Sequence, residues 1–187
     1  MNKEIEDIYK ESIRVKEEAF QQNAPQMSTA VDEIVTCFKN GGKILLFGNG
    51  GSAADSQHMA AEFIGRFQKE RRSLPAIALT TDSSILTALG NDYSFDIIFA
   101  RLFEGLGKKG DVALGISTSG NSRNVIEGIQ KAKELGLRTI TLTGGTGGKL
   151  APLSDINLNV SSKVTARIQE SHLCIYHTIC ELVERQF

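Results

Sequence analysis

Five short apolar runs separated by segments of helical length constrain this chain more than any other feature. They read KILLFG (43–48), PAIALT (75–80), DVALGI (111–116), RTITLT (138–143) and DINLNV (155–160). Short apolar runs that lack polar alternation are the mark of strands buried on both faces. The intervening segments, clearest at 122–135 and 164–185, have helical length and period. Strands that alternate with helices in this way form a parallel sheet with helices on both sides, joined by right-handed crossovers. The expected fold is therefore a doubly wound α/β sandwich around five parallel strands. Ligands of such sheets bind at the carboxyl ends of the strands.

Ahead of the first run, residues 3–22 and 26–39 carry apolar residues at helical spacing, among them Met27, Ala30, Ile34, Val35 and Phe38. Pro25 interrupts the pattern and Gly41-Gly42 ends it, so two helices are expected before the first strand. The organisation that follows is a packing or oligomerisation segment at 1–40 and an α/β domain at 41–187, compact as a whole. Hydrophobic content of 41% and charged content of 23% exclude a disordered chain. A net charge of -1 provides no basic field for nucleic acid or an anionic membrane. No apolar run reaches the ~20 residues of a membrane span, and the charged start MNKEIEDIYKESIRVKEEAF is not a signal peptide. Cys37, Cys174 and Cys180 lack metal-type spacing and sit among apolar residues, as reduced core thiols of a cytoplasmic protein do.

The polar chemistry collects where strands end. In GISTSGNS (115–122), Ser117, Thr118, Ser119 and Ser122 set four hydroxyls around Gly120 just before a helix. The first amides of a helix have no partner within it and carry partial positive charge, so an anion binds there. A single serine here would read as an N-cap; four hydroxyls favour a phosphate cradle. The loop has no lysine and no GxxxxGK[ST] pattern, which excludes a nucleotide P-loop and leaves a phosphomonoester such as a sugar phosphate. A second glycine-rich turn follows the first run in FGNGGSAADSQHMAAEF, with Gly48, Asn49, Gly50, Gly51 and Ser52. There the backbone itself can approach a ligand closely.

Beyond that turn, His58 and Glu62 lie four apart and share one helix face. Such a pair can hold a metal, leave the carboxylate as a general base, or simply face solvent. The final helix, KVTARIQESHLCIYHTICELVERQF, carries Gln169, Glu170, His172 and His177. Gln169 and His177 project ~80° apart and Glu170 and His177 closer still, so spacing alone does not choose between them. Asn91 and Asp92, in LGNDYSFDIIFARLF, follow a short helical stretch and suit either sugar hydroxyls or a turn.

Taken together, GNGGSAADSQHMAAEFIGRF, PAIAL, GND, GDVALGISTSGNSRNVI, TLTGGTGG and RIQESHLCIYH resemble the phosphoheptose isomerase family of the SIS (sugar isomerase) superfamily. The resemblance runs from about residue 42 to 180. It implies a flavodoxin-like SIS domain and conversion of sedoheptulose 7-phosphate to D-glycero-D-manno-heptose 7-phosphate, feeding lipopolysaccharide or capsule heptose. It implies phosphate binding by Ser117, Thr118, Ser119 and Ser122, with Asn49, Gly50, Gly51, Ser52, Asn91 and Asp92 at the sugar end. By the same resemblance His58, Glu62, Gln169 and His177 hold one zinc per subunit, Glu62 and Gln169 also meet substrate, and Glu62 and His177 transfer protons. Family members are homotetramers whose active sites lie at subunit interfaces. The superfamily also contains non-catalytic relatives that associate with the replication initiator or sense a sugar phosphate. The initiator-associated relatives lack the acid and the histidine at the positions of Glu62 and His177, and this chain has both.

Overall fold

A computed structural model describes residues 1–187, and in it the five runs become one sheet. Its strands are β1 (Ile44–Gly48), β2 (Ala76–Ala78), β3 (Val112–Ser117), β4 (Arg138–Gly144) and β5 (Ile156–Val160). All neighbours are parallel, in the order β2-β1-β3-β4-β5. This is the flavodoxin-like order of a doubly wound fold. Six helices accompany it: α1 (Asn2–Lys39), α2 (Gly51–Ile64), α3 (Ser83–Asp92), α4 (Ile98–Leu106), α5 (Arg123–Glu134) and α6 (Thr165–Glu184).

The period-two alternation of the strands divides the interior into two cores. Ile44, Leu46, Leu114, Ile140 and Leu142 pack under α1, α2 and α6, whereas Leu45, Phe47 and Ala113 pack under α4 and α5. Every residue of β1 and β3 is buried, as the unalternating runs require. At the edges the burial lapses: β5 alternates, and β2 leaves Ile77 exposed.

One expectation fails. The segment before β1 is a single 38-residue helix with Pro25 inside it, not two helices. A proline in a helix interior removes a hydrogen bond and costs about 3 kcal/mol. Tertiary contacts outweigh that loss. Val15 and Ala19 before the proline and Met27, Ile34 and Phe38 after it enter the same core, and each large apolar side chain buried contributes roughly 1.5–3 kcal/mol. Two residues before Pro25, Asn23 donates to the carbonyls of Ala19 (2.7 Å) and Asn159 (2.8 Å) and accepts the Asn159 N–H (2.9 Å). The helix is thereby stitched to edge strand β5 where its own ladder is weakest.

The strand order locates the crevice. From β1 the chain passes outward to β2, then returns to the other side of β1 to form β3. The connections after β1 and β3 therefore diverge, and a gap opens between the carboxyl ends of these two strands. Both polar loops found in the sequence begin there.

Candidate active site

The loop after β3 gathers three of its four hydroxyls. Ser117 Oγ lies 3.0 Å from Ser122 Oγ and 3.5 Å from Ser119 Oγ, and Ser119 Oγ accepts the Asn121 N–H at 3.1 Å. Ser122 is the N-cap residue of α5, yet its side chain makes no capping bond. The amides of Ser122, Arg123 and Asn124 have no backbone partner. Three free amides at the positive end of a helix, beside clustered hydroxyls, are an arrangement that suits an anion. Gly120 makes the turn possible: its φ is +64°, and a side chain there would strike the carbonyl of Gly147 in the loop after β4. Thr118 borders an adjoining hollow of about 320 Å³ with Gly145, Thr146 and Lys163.

The loop after β1 is tied to the first. The side-chain amides of Asn49 and Asn124 exchange two hydrogen bonds, at 2.8 and 2.9 Å. Asn49 thus spends its side chain on the first turn of α5, while its carbonyl accepts the Ser52 N–H at 3.0 Å. Ser52 is buried under the turn. Gly51 opens α2 against Gln169 of α6, so closely that an added methyl group would collide with the Gln169 amide.

One helical turn separates His58 from Glu62, and His58 Nε2 lies 2.9 Å from Glu62 Oε1. His177 of α6 completes a group whose donor atoms all fall within 4.8 Å of one another. The His58 and His177 rings stand nearly perpendicular with centroids 5.0 Å apart. His177 Nε2 is buried without a hydrogen-bond partner, a costly state for a polar atom unless a cation or substrate meets it. Burial, and then the neighbouring His58, hold His177 below the ordinary imidazole value, against the pull of Glu62. The imidazole therefore offers a neutral lone pair at pH 7. Two imidazoles and a carboxylate at this separation fit a nitrogen- and oxygen-ligated metal ion.

A buried ion pair braces this group from behind. Arg71, whose side chain is 1% exposed, donates to the carbonyls of Glu62 and Phe63 at 2.8 Å and of Gly65 at 2.9 Å. It thereby satisfies the open C-terminal end of α2. Its Nε lies 3.3 Å from Glu184 Oε1. Glu184 in turn accepts the N–H groups of Phe67, Gln68 and Lys69 at 2.7–2.8 Å. Phe67 packs against His177 with ring centroids 5.4 Å apart. The pair thus fixes both the helix end that carries Glu62 and the loop that covers His177.

This geometry has counterparts in known proteins. The SIS domain family model matches residues 8–144. The phosphoheptose isomerase of Aquifex aeolicus is 55% identical over 184 residues, covering 98% of this chain and 96% of that protein. The structure of phosphoheptose isomerase from Neisseria gonorrhoeae matches with a TM-score of 0.93 at 46% identity, covering 98% of each chain. The chain belongs to the phosphoheptose isomerase family. The Vibrio vulnificus NanR protein, at 17% identity and a TM-score of 0.64, shares the fold alone.

For a phosphoheptose isomerase family member, the placement of the remaining polar residues is informative. His172 is fully buried in the core, with Nε2 2.9 Å from the Thr143 carbonyl, and burial pushes its pKa down to about 4. Glu170 turns toward α1, where it accepts the Ser12 hydroxyl at 2.6 Å. Neither joins the group formed by His58, Glu62 and His177. Asn91 and Asp92 are the last residues of α3 rather than a turn after it. They are exposed and bond to each other at 2.9 Å, while α3 packs on α4 and the short turn before it. Asp55, Arg71, Asn124, Tyr176 and Glu184 were not foreseen. Glu184 left one signal: it falls on the buried stripe of α6 with Tyr176, Cys180 and Val183, where a carboxylate requires a hidden partner. The largest hollow, about 580 Å³, lies at the opposite end of the sheet around Gly42, Asp111 and Arg138. It sits at the amino ends of the strands, away from the switch point.

Proposed function

We propose that this protein is an aldose–ketose isomerase that converts sedoheptulose 7-phosphate to D-glycero-D-manno-heptose 7-phosphate, the first step toward nucleotide-activated heptose. The observation that carries the reading is the convergence of Glu62 and His177 beside a loop built to receive a phosphate. Isomerisation moves a proton between C1 and C2 through an enediol(ate), which needs a base at carbon and a proton donor at oxygen. Glu62 is the base and His177 the partner acid/base at oxygen. Ser117, Thr118, Ser119, Ser122 and the free amides of α5 hold the phosphate and so position the distant reacting carbons. Asn49, Gly50, Gly51, Ser52 and Gln169, with Asn91 and Asp92, take the sugar.

His58, Glu62, Gln169 and His177 would hold zinc, one per subunit, which supplies Lewis-acid polarisation of the substrate oxygens when bound. The assembly is a homotetramer with active sites at subunit interfaces. Three features support it: Asn91 and Asp92 are exposed, α3 has no buried residue, and α1 exposes Ile5, Ile8, Tyr9 and Ile13 at helical spacing. In this reading residues 1–40 serve packing and assembly and 41–187 form the SIS domain. No helix is long and apolar enough to cross a membrane, in keeping with a cytoplasmic sugar-phosphate enzyme. A non-catalytic regulator is not favoured, because the curated relatives over the full length are isomerases and both proton-transfer residues are present.

The test is turnover of sedoheptulose 7-phosphate by wild type and Glu62→Gln, with and without chelator. Removing the base is expected to lower kcat by about 10²–10⁴-fold while substrate still binds. A near-normal rate in Glu62→Gln rejects the assignment of the base. A wild type without turnover that binds a replication initiator rejects the enzyme.

A further inference from the structure

Tyr176 is fully buried on α6, with its hydroxyl 3.0 Å from His58 Nδ1 and 3.4 Å from Asp55 Oδ1. That hydroxyl has a single proton to give. An ionised carboxylate can only accept, so the proton goes to Asp55, and His58 Nδ1 must supply its own proton to the tyrosine oxygen. The chain then runs from His58 Nδ1–H through Tyr176 Oη–H to Asp55. Asp55 keeps its other oxygen buried without a partner, a cost that ordinary packing would have avoided. On the far side of the ring, a bare Nε2 faces Glu62 Oε1 at 2.9 Å. Two lone pairs at that distance repel unless a proton or metal cation lies between them.

We infer that Tyr176 and Asp55 are positioning residues that hold His58 as its Nδ1–H tautomer and aim Nε2 into the space shared with Glu62 and His177. Outer partners of metal-bound histidines act in this way on tautomer, ring orientation and basicity. The inference rests on the reading of that space as a metal site. Without the tyrosine, the imidazole is free to protonate Nε2, which closes that nitrogen to a cation.

The experiment measures zinc affinity of full-length wild type, Tyr176→Phe and Asp55→Asn by competition with a chromogenic chelator. Thermal unfolding and NMR of the histidine ring nitrogens in metal-free protein accompany it. Tyr176→Phe keeps the ring and removes one oxygen, so zinc is expected to bind about 10–100-fold more weakly with little change in Tm. In wild type, His58 is expected to carry its proton on Nδ1. Equal zinc affinity in wild type and Tyr176→Phe, or an Nε2–H tautomer in wild type, overturns the inference. A wild type that takes up no zinc overturns the metal reading itself. Should Tyr176→Phe fold poorly, the affinity of Asp55→Asn and the wild-type tautomer decide.

Discussion

Replacing Glu184 with glutamine changes the shape of the side chain very little and its electrostatics greatly. In the folded chain the carboxylate is 3% exposed, faces three amides and neutralises an Arg71 side chain that is 1% exposed. Glutamine turns a donor toward those donors and leaves the guanidinium buried without a counter-charge. Breaking a buried ion pair from one side costs about 3–5 kcal/mol. For a chain of this size that corresponds to a Tm lowered by roughly 6–20 °C at pH 7. Burial alone would raise the Glu184 carboxyl, but the amides of Lys69, Gln68 and Phe67, together with Arg71, outweigh it and hold the pKa below the usual 4.5. A carboxyl depressed in the folded state stabilises fully above its unfolded pKa and loses that contribution as pH falls through the folded value. The gap between wild type and Glu184→Gln should therefore be complete at pH 7 and shrink as the medium is acidified below about pH 4.5. Thermal unfolding of both proteins across that range provides the assay. Because the same loop carries Phe67 onto His177, kcat should fall more than KM rises at temperatures where the variant is folded. A Tm gap below about 2 °C at pH 7, or one that does not respond to acid, would refute the reasoning.

Ser119→Ala removes one hydroxyl from the proposed phosphate site, where a charge-assisted bond would be worth roughly 1.5–3 kcal/mol. KM for the sugar phosphate should rise about tenfold or more, and an unchanged KM in steady-state kinetics would show that the hydroxyl serves only the Asn121 amide. His58→Ala should lose bound zinc, whereas His172→Ala should retain it and unfold at a lower temperature, since His172 is bonded to Thr143 within the core. Metal analysis and thermal unfolding of the two variants side by side check this, and the reverse pattern of metal loss rejects the ligand assignment.

The amino-acid pattern alone determined the layers of this protein and where polar residues gather at their rim. Unalternating runs such as ILLFG and VALGIS can be satisfied only by burial on both faces, so five strands and a doubly wound sheet were readable without coordinates. The clustering of the serines in the loop after β3 was equally legible, because a strand end followed at once by a helix start is a local property of the chain. Other features depended on which distant segments meet. Pro25 looks like a boundary until Asn23 is seen bonded to β5 and both halves of α1 are seen in one core. The choice among Glu170, His172 and His177 could not be made from an isolated helix; it follows from α1 taking Glu170, β4 taking His172, and α2 facing His177. The pairing of Asn49 with Asn124, and the bond from Arg71 to the Glu62 carbonyl, depend on the strand order and on the fold-back of the loop after α2. Periodicity records how much each residue is buried, whereas the identity of its neighbour is settled only when strands pair and helices dock.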